Sequence, residues 1–241
     1  MRKSIAAALI AASAATGACG GMHHENAGPA VSRNFQVGNF QEIVAAGPYD
    51  INVQTGANPS VSARGPQKVL DDMTVEVQGD KLVIQSKNHG FFQWSWGSRG
   101  RTIFTVTVPQ LRAATLAGSG DLNINSVTGD SFAGSLAGSG DLSLGSVNVK
   151  SLKLSLAGSG DAKASAGQAQ TAEYHTVGSG DIDGRGVTAQ QLTISIAGSG
   201  DINGRATGTA DVTIMGSGDV GVTGGAKCTI TKHGSGDVNC S

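Results

Sequence analysis

At 241 residues the chain is long enough for one sizeable domain or two small ones, and 37 glycines with an aromatic content of 4% argue against an ordinary layered core and point to repetition instead. Its 17 basic and 18 acidic residues leave a formal net charge of -1 and are dispersed along the chain, so nothing marks a nucleic-acid or other polyanion partner.

At the N-terminus, Arg2 and Lys3 precede an apolar run from Ile5 to Ala15 and small residues through Ala18. That run is too short to span a bilayer, so residues 1–18 are expected to be a secretory signal peptide. Cys19 follows Thr16-Gly17-Ala18, which resembles a bacterial lipoprotein signal, with Thr16 standing where Leu is usual. In such a signal the cysteine is lipidated and anchors the mature N-terminus to a membrane. The alternative is ordinary cleavage near Ala18 that leaves a free Cys19. Only three cysteines are present, and in an oxidising compartment lipidation of Cys19 leaves Cys228 and Cys240 as the natural pair. Residues 19–33 read as a flexible tether. His23 and His24 lie within it without a further ligand, and no metal or cofactor is assigned.

Residues 34–112 read as an N-terminal β region. Its most informative segment runs Phe91-Phe92-Gln93-Trp94-Ser95-Trp96-Gly97-Ser98-Arg99-Gly100-Arg101. In a strand, Phe92, Trp94 and Trp96 would share one face. Phe91, Phe92, Trp94, Trp96, Arg99 and Arg101 are therefore candidates for stacking on a glycan or an envelope protein. The competing reading is an aromatic plug over the open N-terminal end of a solenoid.

Residues 113–241 carry the repeat. Gly-Ser-Gly-Asp begins at Gly118, Gly138, Gly158, Gly178, Gly198, Gly216 and Gly234, a period of twenty residues four times and then eighteen twice. Before each corner apolar residues alternate with polar ones, as in Leu152, Leu154 and Leu156 or Leu192, Ile194 and Ile196; after it Leu122 and Ile124 do the same. This is the period of a strand with one buried face. With no helical pattern and no recurring hairpin turn, equivalent strands must stack in parallel. The expected fold is all-β, a three-sided parallel β-helix (β-solenoid) with rungs of about 20 residues and an N-terminal β cap. In the rung with Ala162, Ala164 and Ala172, Tyr174 aligns with Leu154 and is expected to fill the space those alanines leave.

The corner glycines allow positive φ, and the aspartate can bond the neighbouring backbone. The column Asp121, Asp141, Asp161, Asp181, Asp201, Asp219 and Asp237 stacks like charges at about 4.8 Å, with repulsion of about 1 kcal/mol per neighbouring pair in water. It must face solvent, accept backbone hydrogen bonds or hold cations. Cys228 aligns with Leu152 and Leu192, and Cys240 with Ile124, Leu144 and Val222, so both point into the last rung. A disulfide is expected there, against the alternative of two buried thiols.

Together with Phe40-Gln41-Glu42-Ile43, Asp50-Ile51-Asn52-Val53, Lys81-Leu82-Val83-Ile84 and Val106-Thr107-Val108-Pro109-Gln110-Leu111, the repeat resembles the bacterial putative auto-transporter adhesin family with the head GIN domain, over about residues 34–241. The resemblance implies an exported, often lipid-anchored β-helical protein of adhesin-like role, with no catalytic residues to carry over. The expected location is the outer membrane, facing periplasm or cell surface, or otherwise the periplasm. An enzyme alternative is a polysaccharide lyase or hydrolase. Its best cluster is Asp181, Asp183 and Arg185 with Arg205 one rung above, although these arginines are better read as offsetting the corner aspartates.

Overall fold

The computed structural model describes residues 28–87 and 100–241. The signal peptide, Cys19 and the tether up to residue 27 lie outside the described residues, as do Phe91, Phe92, Trp94, Trp96 and Arg99.

Alternating sequence produces long bent strands. β9 (Leu122–Gly138), β10 (Leu142–Gly158), β11 (Ala162–Gly178) and β12 (Ile182–Gly198) each make one full rung, and β13 (Ile202–Gly216) makes a shorter one. They pair in parallel, in register from Leu142↔Ala162 to Gly158↔Gly178, giving a solenoid of about six turns. Within β10 the buried residues fall in three groups: Leu142 and Leu144, Val147 and Val149, then Leu152, Leu154 and Leu156. The chain changes direction between them, which makes three sides around a dry interior. Side I follows the corner, side II comes next and side III leads to the following corner.

The N-terminal region extends the same stack and then ends it. On side III, β8 (Ala113–Gly118) lies under β9, followed by β2 (Glu42–Ala46) and β6 (Lys81–Ser86), all parallel. On side I, β3 (Asp50–Thr55) lies under β9 and β7 (Ile103–Val108) under β3. Antiparallel strands then close both sides. β4 (Ser60–Pro66) and β1 (Ala30–Phe35) lie below β7, and β5 (Met73–Gln78) lies beyond β6. A short helix, α1 (Gln67–Asp71), links the two closing layers and buries Leu70 completely. Phe104 stacks on Phe35 and meets Tyr49 edge-on, with ring centroids 6.3 and 5.9 Å apart. Strand β1 begins at Ala30, so the last residues assigned to a tether at 19–33 belong to the cap, where pairing with β4 supplies the backbone bonds that a tether leaves to water.

At the other end β14 (Val220–Thr223), β15 (Lys227–Gly234) and β16 (Val238–Cys240) form the last rung. Cys228 stands above Ala210 and Cys240 above Val222. The two cysteines form the expected disulfide, with Cα atoms 6.6 Å apart.

Interior volume is balanced across rungs as well as within them. Tyr174 is 1% exposed and pairs with Leu154 as expected. Its ring occupies space left by the inward glycine of the rung above: a Cβ on Gly184 would lie 2.4 Å from the ring, and one on Gly204 within 3.5 Å. Burial, with a contribution from Asp183, raises the Tyr174 hydroxyl pKa, so the phenol stays neutral. We predict that Gly184→Ala, which drives a methyl into that ring, lowers stability by about 2 kcal/mol. Adding Tyr174→Leu should recover part of the loss. Additive losses in a double-mutant cycle of urea unfolding would show that the two sites do not share this space.

Candidate functional site

The most regular chemical feature is the corner line, and its geometry follows from backbone stacking. The first glycine of each corner has positive φ, from 127° at Gly178 to 148° at Gly118. The second glycine, expected to share that property, does not. It is required by close approach instead, since a Cβ on Gly140 would sit 1.8 Å from the Gly120 carbonyl oxygen. Corner backbones therefore bond directly from rung to rung: Ser159 N–H donates to Gly138 O at 2.9 Å and Leu142 N–H to Asp161 O at 2.8 Å.

This stacking brings each aspartate carboxylate under the next aspartate amide. Asp141 N–H donates to Asp121 Oδ1 at 3.3 Å, Asp161 to Asp141 and Asp181 to Asp161 at 3.2 Å. Asp201 to Asp181 and Asp219 to Asp201 follow at 2.8 Å, and Asp237 to Asp219 at 2.7 Å. A charged acceptor bond contributes about 1.5–3 kcal/mol, enough to offset repulsion of about 1 kcal/mol between exposed neighbours. The column is thus a hydrogen-bond ladder. Among the described residues no group of three or more His, Cys, Asp or Glu is placed to hold a metal ion.

The ladder has one more member than the repeat discloses. Asp121 N–H donates to Asp50 Oδ1 at 3.3 Å, and Gly47, at φ 140°, lies under Gly118. Gly47-Pro48-Tyr49-Asp50 is therefore a divergent corner. Its sequence signal was a glycine three residues before an aspartate, between two alternating segments. Both ends of the ladder meet a cation. Arg101 hydrogen-bonds Asp50, an interaction that raises the Arg101 pKa with a smaller contribution from Asp121, and Lys232 Nζ lies 3.8 Å from Asp237.

One rung below Asp50 the corner is replaced. Ala46 is registered on Gln85 and Asp50 on Ile103, so residues 86–102 stand where only 47–49 stand above. The aromatic candidates belong to this insertion. Only Arg101 of the six is described, and it is tied to the ladder. Lys87 anchors the other flank, donating from its backbone to Asp72 O at 2.8 Å and from Nζ to Asp71 O at 2.6 Å.

The acid-base cluster does not converge. Arg185 donates to both Asp183 oxygens, at 2.8 and 2.9 Å, and this hydrogen bonding holds the Asp183 carboxyl below its usual range. Asp181 is occupied in the ladder. Arg205 is registered against Thr188, not above Arg185, because the eighteen-residue rung shifts register between Asp183 and Thr188. Neither arginine offsets the corner column as expected: Arg185 is bound to its neighbour, and the cations at the ladder are Arg101 and Lys232. His175 faces outward beside Glu173, at 3.5 Å; Lys153, 3.2 Å from Glu173, is the main cause of that carboxyl's lowered pKa.

A family profile described as "Putative auto-transporter adhesin, head GIN domain" matches residues 39–226. The crystal structure of a putative adhesin from Bacteroides fragilis is similar with a TM-score of 0.79 at 24% identity, covering 88% of this chain and 97% of that one. A putative lipid binding protein from Parabacteroides distasonis gives 0.72 at 25% identity over 89% and 97% of the two chains. A putative adhesin from Parabacteroides merdae gives 0.69 at 18%, over 89% and 97%. No curated protein matches the sequence.

The ladder makes opposite predictions for two substitutions of one residue. Asp161→Ala removes the acceptor for the Asp181 amide and should lower stability by about 1 kcal/mol. Asp161→Asn keeps an acceptor oxygen and removes repulsion from Asp141 and Asp181, so its stability should equal or exceed that of the parent. Equal losses in chemical unfolding would contradict the ladder.

Proposed function

The chain belongs to the "Putative auto-transporter adhesin, head GIN domain" family, and from that premise we propose that it is a non-catalytic, adhesin-like binding module of the bacterial envelope. In this reading residues 1–18 direct export, lipid on Cys19 holds the protein at the outer membrane through a short tether, and the solenoid presents a contact segment. Among the described residues no helix is long and apolar enough to cross a membrane.

The observation that carries the reading is the replaced corner. Between the positions paired with Ala46 and Asp50 lie residues 86–102, where one rung up only residues 47–49 stand between Ala46 and Asp50. That insertion holds Phe91, Phe92, Trp94, Trp96, Arg99 and Arg101, residue types that dominate binding hot spots. The plug reading is weakened because β1, β4, β5 and α1 already close the N-terminal end. We assign these six residues as the contact segment for an envelope glycan or protein.

Trp94→Ala combined with Trp96→Ala should reduce retention of the protein on isolated Gram-negative cell envelopes by about tenfold or more, while the melting temperature stays within about 2 °C of the parent. Lost thermal stability or self-association by light scattering would favour the plug. Polysaccharide depolymerisation by the parent, abolished in Asp183→Ala, would overturn the non-catalytic reading.

A further inference from the structure

Side I carries a surface unlike the rest of the molecule. Along its lower half the outward residues stand in register across rungs: Asn34 on Ser62, Ser62 on Thr105, Thr105 on Asn52, Asn52 on Asn123 and Asn123 on Ser143. A second outward column two residues along includes Gln54, Asn125 and Gly145. Both columns consist of neutral residues, and those with side chains carry amides or hydroxyls. Six strands at about 4.8 Å make a strip roughly 24 Å long. Charged residues stand above the strip, where Lys163 stands on Ser143 and Asp183 on Lys163, and beside its base, where Arg64 is registered on Ile103 and Ile103 on Asp50.

The strip is shaped and partly organised. A shallow, open trench of about 560 Å³ runs over its upper rungs, from Thr105 through Asn52 and Asn123 to Ser143 and on to Ser165 in the rung above, and Gly145 forms part of its floor. That floor is enforced, because a Cβ on Gly145 would lie 2.4 Å from the Asn125 carbonyl oxygen. Asn125 Oδ1 accepts the Thr55 and Ser126 amides at 2.9 and 2.7 Å, which fixes the side chain. Asn123 Nδ2 donates to Asn52 Oδ1 at 3.4 Å. These bonds leave the Asn125 and Asn52 amide nitrogens as outward donors. Each amide offers donors and acceptors in one plane, and hydroxyls offer both from one atom, the pattern that matches vicinal sugar hydroxyls.

We propose that this strip binds an uncharged polysaccharide lying along the solenoid axis. Charge selects the occupant. A polyanion would gain no ion pair from the residues lining the trench and would run beside Asp50, Asp121 and Asp141 on the adjoining corner line, where Arg101 is already bound to Asp50 and Arg64 stands only at the base, whereas a polymer rich in neutral hydroxyls meets a partner at every rung. The inference rests on the reading of the chain as a binding module and names a ligand class for a surface separate from the aromatic segment.

Affinity electrophoresis of the full-length mature protein in gels cast with soluble uncharged polysaccharides (a β-glucan, a mannan, a xylan) or with polygalacturonate tests it. The parent should be retarded by at least one uncharged polymer and not by polygalacturonate. Ser143→Arg and, as a second strip variant, Gln54→Arg should each weaken that retardation by about tenfold with melting temperatures within about 2 °C of the parent. Absence of retardation by every uncharged polymer, preferential retardation by polygalacturonate, or retardation unchanged in both stable variants would overturn the proposal. Trp94→Ala/Trp96→Ala on the same gels separates the two surfaces. Retardation kept there but lost in the strip variants places the polysaccharide on side I whatever the aromatic segment does; loss in the double variant alone assigns it to the aromatic segment and overturns the strip.

Discussion

A carboxylate oxygen on each corner aspartate accepts the backbone N–H of the corner aspartate one rung above, and the solenoid's register depends on that contact. It forms only if corner backbones stack directly, which explains why the second glycine tolerates no Cβ although its φ is ordinary. With corners stacked, Leu142 must lie on Leu122 and Ala162 on Leu142, and the inward columns follow. A slip of one residue would turn every inward side chain outward. The ladder thus converts a column of like charges, which alone would push rungs apart, into a set of charge-assisted bonds that hold them in line.

The same register gives function its geography. Because the corner is costly to vary, variation is confined to places where the stack is interrupted or ends. The rung at the base replaces its corner with residues 86–102 and sets Arg101 against Asp50, the lowest carboxylate of the ladder. Beside that point side I presents its neutral strip, and the charged pairs that decorate other faces, such as Lys153 with Glu173 or Asp130 with Lys150, lie elsewhere. The top rung, which has no neighbour above it, is cross-linked by Cys228 and Cys240 instead. A rigid repeat with specialised ends suits a module that displays surfaces.

The parallel solenoid, its rung length, the inward columns and the disulfide were legible because each repeats or aligns at a fixed offset from Gly-Ser-Gly-Asp. What stayed hidden was whatever breaks the offset. Gly47-Pro48-Tyr49-Asp50 keeps only the first glycine and the aspartate, and β4 to β7 are inserted before the next rung, so no period reaches it. Arg205 was misplaced because two residues are absent from that rung, and a sequence alignment cannot say where a backbone absorbs them. Tyr174 was seen to fill space, but the glycines that make room are Gly184 and Gly204 in the rungs above, a relation that needs stacked coordinates. The neutral strip was illegible for a related reason: Asn34, Ser62, Thr105 and Asn52 are scattered in sequence and meet only through antiparallel and parallel pairings of the cap.

Residue-resolved amide hydrogen exchange tests the ladder most directly. The aspartate side chains of the corner line face solvent, so without the ladder their amides would exchange like those of a loop, and in a cation-held column their protection would fall when calcium is removed. The account predicts that the amides of Asp141, Asp161, Asp181 and Asp201 exchange as slowly as those of the neighbouring core residues Leu142 and Ile182, equally with calcium and with chelator. Fast exchange at these amides, or protection lost on chelation, would contradict it.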